Sequence, residues 1–165
     1  MSNQDKKWYE LYERFTEKTR EFYDESREKT VKTLDEALDK ARNSLEKTEE
    51  LTQEESKQFK AYLQRDLEET GKDFNRWSEW VKTHSSPSRV QSGFMDLTAK
   101  IAESGSGFLE KLSEWANSTG VYHTGEMAVP GAFQCRNCEA ELHFDSAGKL
   151  PPCPKCKKTE FRRVG

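Results

Sequence analysis

Cys135-Arg136-Asn137-Cys138 and Cys153-Pro154-Lys155-Cys156 are two Cys-x-x-Cys pairs separated by the 14 residues 139–152. Each pair places two thiols on one tight turn, and a hairpin between the pairs brings all four around a single ion. Four thiolates in a tetrahedral set are the donor shell of structural Zn²⁺, with Cys135, Cys138, Cys153 and Cys156 as ligands. Such a shell is closed to water and substrate, so the metal is expected to be structural and not catalytic. A rubredoxin-like iron cage satisfies the same spacing, and spacing does not separate the two metals. A thioredoxin-like redox site needs one pair beside a βαβ pattern, which the sequence lacks.

Outward from the cysteines, Phe133, the run Glu141-Leu142-His143-Phe144 and the run Glu160-Phe161-Arg162-Arg163-Val164 supply short strands, with Asp145-Ser146-Ala147-Gly148 as a turn signal. The expectation is a small C-terminal β zinc ribbon over residues 119–165. His123 and His143 lie near the cysteines but are surplus to a completed four-sulfur shell. Lys155, Lys157, Lys158, Arg162 and Arg163 make the second knuckle basic. Residues 121–165 hold 7 basic and 5 acidic side chains, and the net +2 is offset by the −2 of a zinc–tetrathiolate centre. That cancellation favours a protein partner over nucleic acid.

Residues 1–118 read differently. Trp8, Leu11, Tyr12, Phe15, Phe22 and Tyr23 keep helical spacing, and Val31, Leu34, Leu38, Ala41 and Leu45 continue it, predicting a helix over residues 5–47 with a phase shift across 24–30. Thr52-Gln53-Glu54-Glu55 has the form of a capping box and starts a second helix, whose stripe is Phe59, Leu63, Leu67, Phe74, Trp77 and Val81, ending before Pro87. A third stripe, Phe94, Leu97, Ile101, Phe108, Leu112 and Trp115, is interrupted by Ser104-Gly105-Ser106-Gly107, predicting a kink or short break. The fold class is therefore mainly α: an elongated antiparallel helical hairpin, coiled-coil-like in composition, or a three-helix bundle, followed by the ribbon.

Composition narrows the function. Of 165 residues, 35% are charged and 33% hydrophobic, with a net charge of −3, which argues against a generally basic, nucleic-acid-coating surface. No apolar run approaches the roughly 20 residues of a membrane span, and the stretch MSNQDKKW lacks the apolar core of a signal peptide. A cytoplasmic protein without membrane contact is expected. No phosphate-binding glycine loop, His-Glu-x-x-His or Gly-x-Ser-x-Gly occurs, so the chain is not expected to be an enzyme.

The stretch Gly120-Val121-Tyr122-His123-Thr124-Gly125-Glu126, joined to Cys135-x-x-Cys138 and Cys153-Pro154-x-Cys156, resembles the bacterial YbeL-like family of zinc-ribbon-containing proteins. Glu50-Leu51-Thr52 and Arg65-Asp66-Leu67-Glu68-Glu69 resemble that family's hairpin tip and second helix. The resemblance implies a bacterial cytoplasmic protein with a helical N-terminal region and a four-cysteine ribbon, in a family of unknown function. Lys157 stands where many ribbons place glycine.

Three functions follow as expectations. The first is a non-enzymatic adaptor or regulatory protein that binds a macromolecular partner through its helical arm and ribbon, of undefined oligomeric state. The second is a transcription-associated factor, since the acidic residues Glu46, Glu49, Glu50, Glu54 and Glu55 beside a four-cysteine domain are similar in outline to DksA-type proteins that contact RNA polymerase, although the Asp-x-x-Asp tip of those proteins is absent. The third is a redox or metal-handling enzyme, which requires an exposed, low-pKa thiolate. Tyr122, His123 and Glu126, between the helices and the first knuckle, are expected to join the two parts.

Overall fold

The protein is described here from a computed structural model that covers residues 3–85, 89–116 and 119–165. Among the described residues, six helices precede six short strands. The helix expected to stop before Ser85 ends at His84, while Ser86, Pro87 and the boundary residues Asn117 and Ser118 lie outside the described residues.

The single helix expected over residues 5–47 is two helices, α1 (Asn3–Glu25) and α2 (Val31–Lys47), which fold back on one another. Local hydrogen bonding ends the first and starts the second. Lys29 donates from Nζ to the carbonyls of Tyr23, Asp24 and Ser26, taking up acceptors that the end of α1 leaves open. Thr30 then caps α2: its hydroxyl accepts from the Thr33 N–H at 3.1 Å, and the Thr33 hydroxyl accepts from the Thr30 N–H at 3.0 Å. A threonine replaces the usual Glu of a capping box, which is why the pattern is inconspicuous in the sequence. The phase shift across residues 24–30 is thus a chain reversal.

The expected capping box at Thr52 is present, with Glu55 N–H to Thr52 Oγ1 at 3.1 Å and Thr52 N–H to Glu55 Oε1 at 3.0 Å. It starts α3 (Gln53–Lys72), which packs on α2. The stripe read as one helix through residue 84 is divided at Asp73, whose carboxylate caps α4 (Phe74–His84) by accepting from the Arg76 N–H at 3.3 Å. As expected, the third stripe breaks at Ser104-Gly105. It gives α5 (Arg89–Glu103) and α6 (Ser106–Ala116), with Gly105 at a φ of 89° that a side chain would strain.

The apolar stripes meet in one core of Tyr12, Phe15, Leu34, Leu38, Leu45, Phe59, Leu63, Leu67, Phe94, Leu97, Ile101 and Leu112. Each buried Leu or Phe contributes about 1.5–3 kcal/mol, far above the few tenths available from a surface ion pair.

The ribbon comprises β1 (Val121–His123), β2 (Met127–Ala128), β3 (Gly131–Cys135), β4 (Glu141–Phe144), β5 (Gly148–Lys149) and β6 (Glu160–Arg163). An antiparallel sheet runs β1-β6-β3-β4, and β2 pairs with β5. The three expected strands are β3, β4 and β6. Tyr122, Phe133, Leu150 and Phe161 pack with Cys135 and Cys153 in its own core. Met127, Val129 and Ala147 instead join the helical core, and Trp77 donates from Nε1 to the Pro130 carbonyl at 2.8 Å. Apolar packing therefore runs continuously from the bundle into the ribbon.

Candidate metal centre

The two knuckles are built alike. After Cys138 and after Cys156 the chain turns through a left-handed residue, Glu139 at φ 65° and Lys157 at φ 66°. The Glu139 N–H donates to the Cys135 carbonyl at 3.0 Å, and the Lys157 N–H to the Cys153 carbonyl at 2.9 Å. The Cys135 N–H reaches the Ala140 carbonyl and the Cys153 N–H reaches the Lys158 carbonyl, both at 2.9 Å. This repeated closure turns the inner backbone N–H groups of each loop toward sulfur, as with Asn137 N–H to Cys135 Sγ at 3.4 Å. Neither turn uses glycine, so lysine at 157 keeps the knuckle geometry at the cost of a strained backbone.

The four sulfurs lie within 4.8 Å of one another, with Cys135–Cys156 at 3.5 Å and Cys138–Cys153 at 3.6 Å. Zinc–sulfur bonds of about 2.3 Å in a tetrahedron put sulfurs about 3.8 Å apart, so the donors fit the ion. Cys135 and Cys153 are buried, and Cys138 and Cys156 half-buried. The Cys156 backbone N–H draws the Cys153 thiol down to about 6, aided by the Lys155 N–H and opposed by desolvation. Cys156 is lowered chiefly by the Lys158 N–H. Cys138 goes the other way: the Ala140 N–H favours its thiolate, but desolvation and the three neighbouring sulfurs push it up to about 11. Four thiolates this close repel one another, and a dication at their centre removes that repulsion. The set is a structural zinc site.

A second polar cluster holds the ribbon to the helices, and its centre was not singled out from the sequence. Asp66 of α3 is fully buried and accepts from Tyr12 Oη at 2.7 Å, Tyr122 Oη at 2.8 Å, the Val129 N–H at 3.2 Å and Arg163 Nη2 at 3.4 Å. Arg65 donates to Glu126 Oε1 at 2.7 Å and to the Met127 carbonyl at 2.8 Å, with its guanidinium 3.8 Å from the Tyr122 ring centre. Arg163 also donates to the carbonyls of Val129 and Pro130 and lies over the Phe133 ring at 4.5 Å. Asp66 continues the α3 stripe three residues after Leu63 and four before the buried Thr70. A charged residue in that phase was the available signal.

Of the three expected joint residues, Tyr122 and Glu126 contact α3. His123 does not: its half-exposed ring lies 3.7 Å from both Glu126 and Glu160, within the ribbon, and only its backbone N–H supports Glu126, at 2.9 Å. His143 is half-exposed on β4 and lies edge-on to Trp80 and His84 across the seam. His84, at the end of α4, is stacked on Trp80 at 4.4 Å. The basic residues at the second knuckle divide: Lys155, Lys157 and Lys158 are exposed, Arg162 is held by Gln134, and Arg163 points into the seam. Among the described residues no helix is long and apolar enough to cross a membrane.

The family model described as "Zinc-ribbon containing domain" matches residues 21–165. The chain is similar to a protein of Escherichia coli strain K12 named "Uncharacterized protein YbeL", with 26% identity over 117 residues, 71% of this chain and 73% of that protein. The same identity and coverage hold for the YbeL proteins of Escherichia coli O6:H1 and O157:H7. No solved structure matches the chain.

Proposed function

The chain belongs to the zinc-ribbon containing domain family, and we propose that this protein is a cytoplasmic, non-enzymatic adaptor or regulatory protein that binds a protein partner through its ribbon and helices. The observation that carries the reading is the closed four-sulfur set. With all four positions taken by cysteine, zinc has no site for substrate, and its contribution is to hold the knuckle tips rigidly outward. The exposed Arg136, Pro154, Lys155, Lys157 and Lys158 then form a contact surface on a mount already fixed to the bundle.

The polymerase-contact alternative relies on a free acidic tip. Most of that tip is engaged internally: Glu46 meets Arg42 and Ser56, Glu50 meets Arg14 and Thr48, and Glu55 caps α3. Glu49 and Glu54 remain exposed. The redox alternative asks for an exposed low-pKa thiolate, whereas of the two thiols drawn down Cys153 is buried and Cys156 half-buried.

The test is cross-linking and affinity capture from the native cell with the wild-type chain and a Lys155→Glu, Lys157→Glu, Lys158→Glu triple variant that retains its zinc. The proposal expects a protein cross-linked to the knuckle tips and at least tenfold depleted by the variant. A partner set unchanged by the variant contradicts the ribbon's part in binding. Cross-links from Glu49 or Glu54 to RNA polymerase subunits would favour the transcription alternative instead.

A further inference from the structure

We propose that the zinc centre is a latch on the helical bundle: metal loss slackens β3 and β6, withdraws Tyr122 and Arg163 from Asp66, and uncovers the Arg65–Asp66 face of α3. This is a conformational device distinct from the partner reading above, and it rests on the zinc site alone.

The connection from metal to helix is short. β3 ends in Cys135, and β6 begins four residues after Cys156. The two strands pair as Cys135 with Phe161, Gln134 with Arg162 and Phe133 with Arg163, so Arg163 is two residues along the ladder from the pair that includes a ligand. Its side chain is only 4% exposed, held over the rings of Phe133 and Tyr122. Tyr122 belongs to the edge strand β1, which among the described residues pairs with β6 alone. Both groups that reach Asp66 from the sheet are thus positioned through β6. A zinc-ribbon sheet this small has too little apolar core to hold its register without the ion.

The consequence falls on α3. Three of the four hydrogen-bond donors to Asp66 come from the ribbon, and both acceptors that Arg65 reaches by hydrogen bonds are ribbon atoms. When the ribbon slackens, a buried carboxylate keeps Tyr12 as its hydrogen-bond donor, and a buried guanidinium is left with its weak approach to Asp66 at 3.6 Å and the Tyr62 ring at 5.4 Å. Buried charges without partners are not tolerated in an apolar seam, so water must enter at this face. The opening stays local, because α2 is held by α1, α3 and α6 through Leu34, Leu38 and Leu45.

Hydrogen exchange on the full zinc-loaded chain tests the latch, with EDTA to remove the metal and a chromophoric chelator to count the zinc released. Zinc removal should speed exchange in residues 121–165 and also, at least tenfold, in residues 63–70 of α3. Residues 34–45 of α2 should change less than twofold, and added Zn²⁺ should restore the original pattern. A rise confined to the ribbon, or one spread equally into α2, overturns the proposal. Arg163→Met, which leaves every sulfur in place, should reproduce the α3 effect in zinc-loaded protein; α3 exchange at the wild-type rate in that variant overturns it as well.

Discussion

The Tyr122 hydroxyl donates to Oδ1 of Asp66 at 2.8 Å while Tyr12, from the opposite end of the chain, donates to Oδ2 at 2.7 Å. One carboxylate on α3 thereby joins the first helix to the first strand of the ribbon. All three groups are fully buried, so their hydrogen bonds are made in a medium where leaving a partner unsatisfied is expensive.

Removing the carboxylate should therefore cost more than any surface change. Asp66→Ala leaves Arg163 buried without the carboxylate it pairs with at 3.4 Å and is expected to destabilise the chain by about 3–5 kcal/mol, the scale for breaking a buried pair. Tyr122→Phe takes away one donor and should cost about 1–3 kcal/mol. Urea unfolding followed by circular dichroism measures both.

Alkaline pH should destabilise the fold through the same phenols. Desolvation raises the pKa of Tyr12, reinforced by Asp66, and that of Tyr122, there opposed by Arg163. Below pH about 10 both states hold these protons and stability is unaffected. Above it the unfolded chain loses protons first, so it binds fewer than the native state and stability falls as pH rises. Thermal melts between pH 9 and 11.5 should show this decline, and Tyr12→Phe should flatten it.

The left-handed turns of the knuckles predict a gain. Lys157 and Glu139 occupy φ near 65° without being glycine. Lys157→Gly relieves a left-handed cost of about 1–2 kcal/mol, partly offset by about 0.5–1 kcal/mol of extra unfolded-chain freedom. Competition with a zinc chelator should find the variant holding its metal as tightly as the wild type or more so.

The helix starts should be separable by mutation. Thr30→Ala and Thr52→Ala each remove a hydroxyl that accepts from a backbone N–H, and each should cost about 0.5–2 kcal/mol by urea unfolding.

The cysteine spacing carried the ribbon because tetrahedral coordination leaves few arrangements for two knuckles, and the stripes carried the helical class because 3.6-residue periodicity survives in Phe59, Leu63 and Leu67. The number of helices was harder to read. The break at residues 26–30 shows in the apolar pattern only as a phase shift, because it depends on a Lys29 side chain bonding to carbonyls and a Thr30–Thr33 cap, and the break at Asp73 rests on one carboxylate. Asp66 was hidden for a different reason. In a sequence where charged residues cover most helical faces, an Asp beside an Arg reads as solvated surface until the partners that bury it, Tyr12 far upstream and Arg163 near the last residue, are brought to it by the fold. His123 misled in the opposite direction, since its neighbours Tyr122 and Glu126 reach the helices while strand alternation turns its own ring outward.

The central claim is that Cys135, Cys138, Cys153 and Cys156 hold one zinc ion in a closed shell. Zinc K-edge X-ray absorption on purified protein, with metal content measured on the same sample, addresses it directly. The account predicts one zinc per chain with four sulfur neighbours at about 2.3 Å and no oxygen or nitrogen neighbour. A shell containing water, histidine or carboxylate, or protein with less than about half an equivalent of metal and its cysteines joined as disulfides, would contradict it.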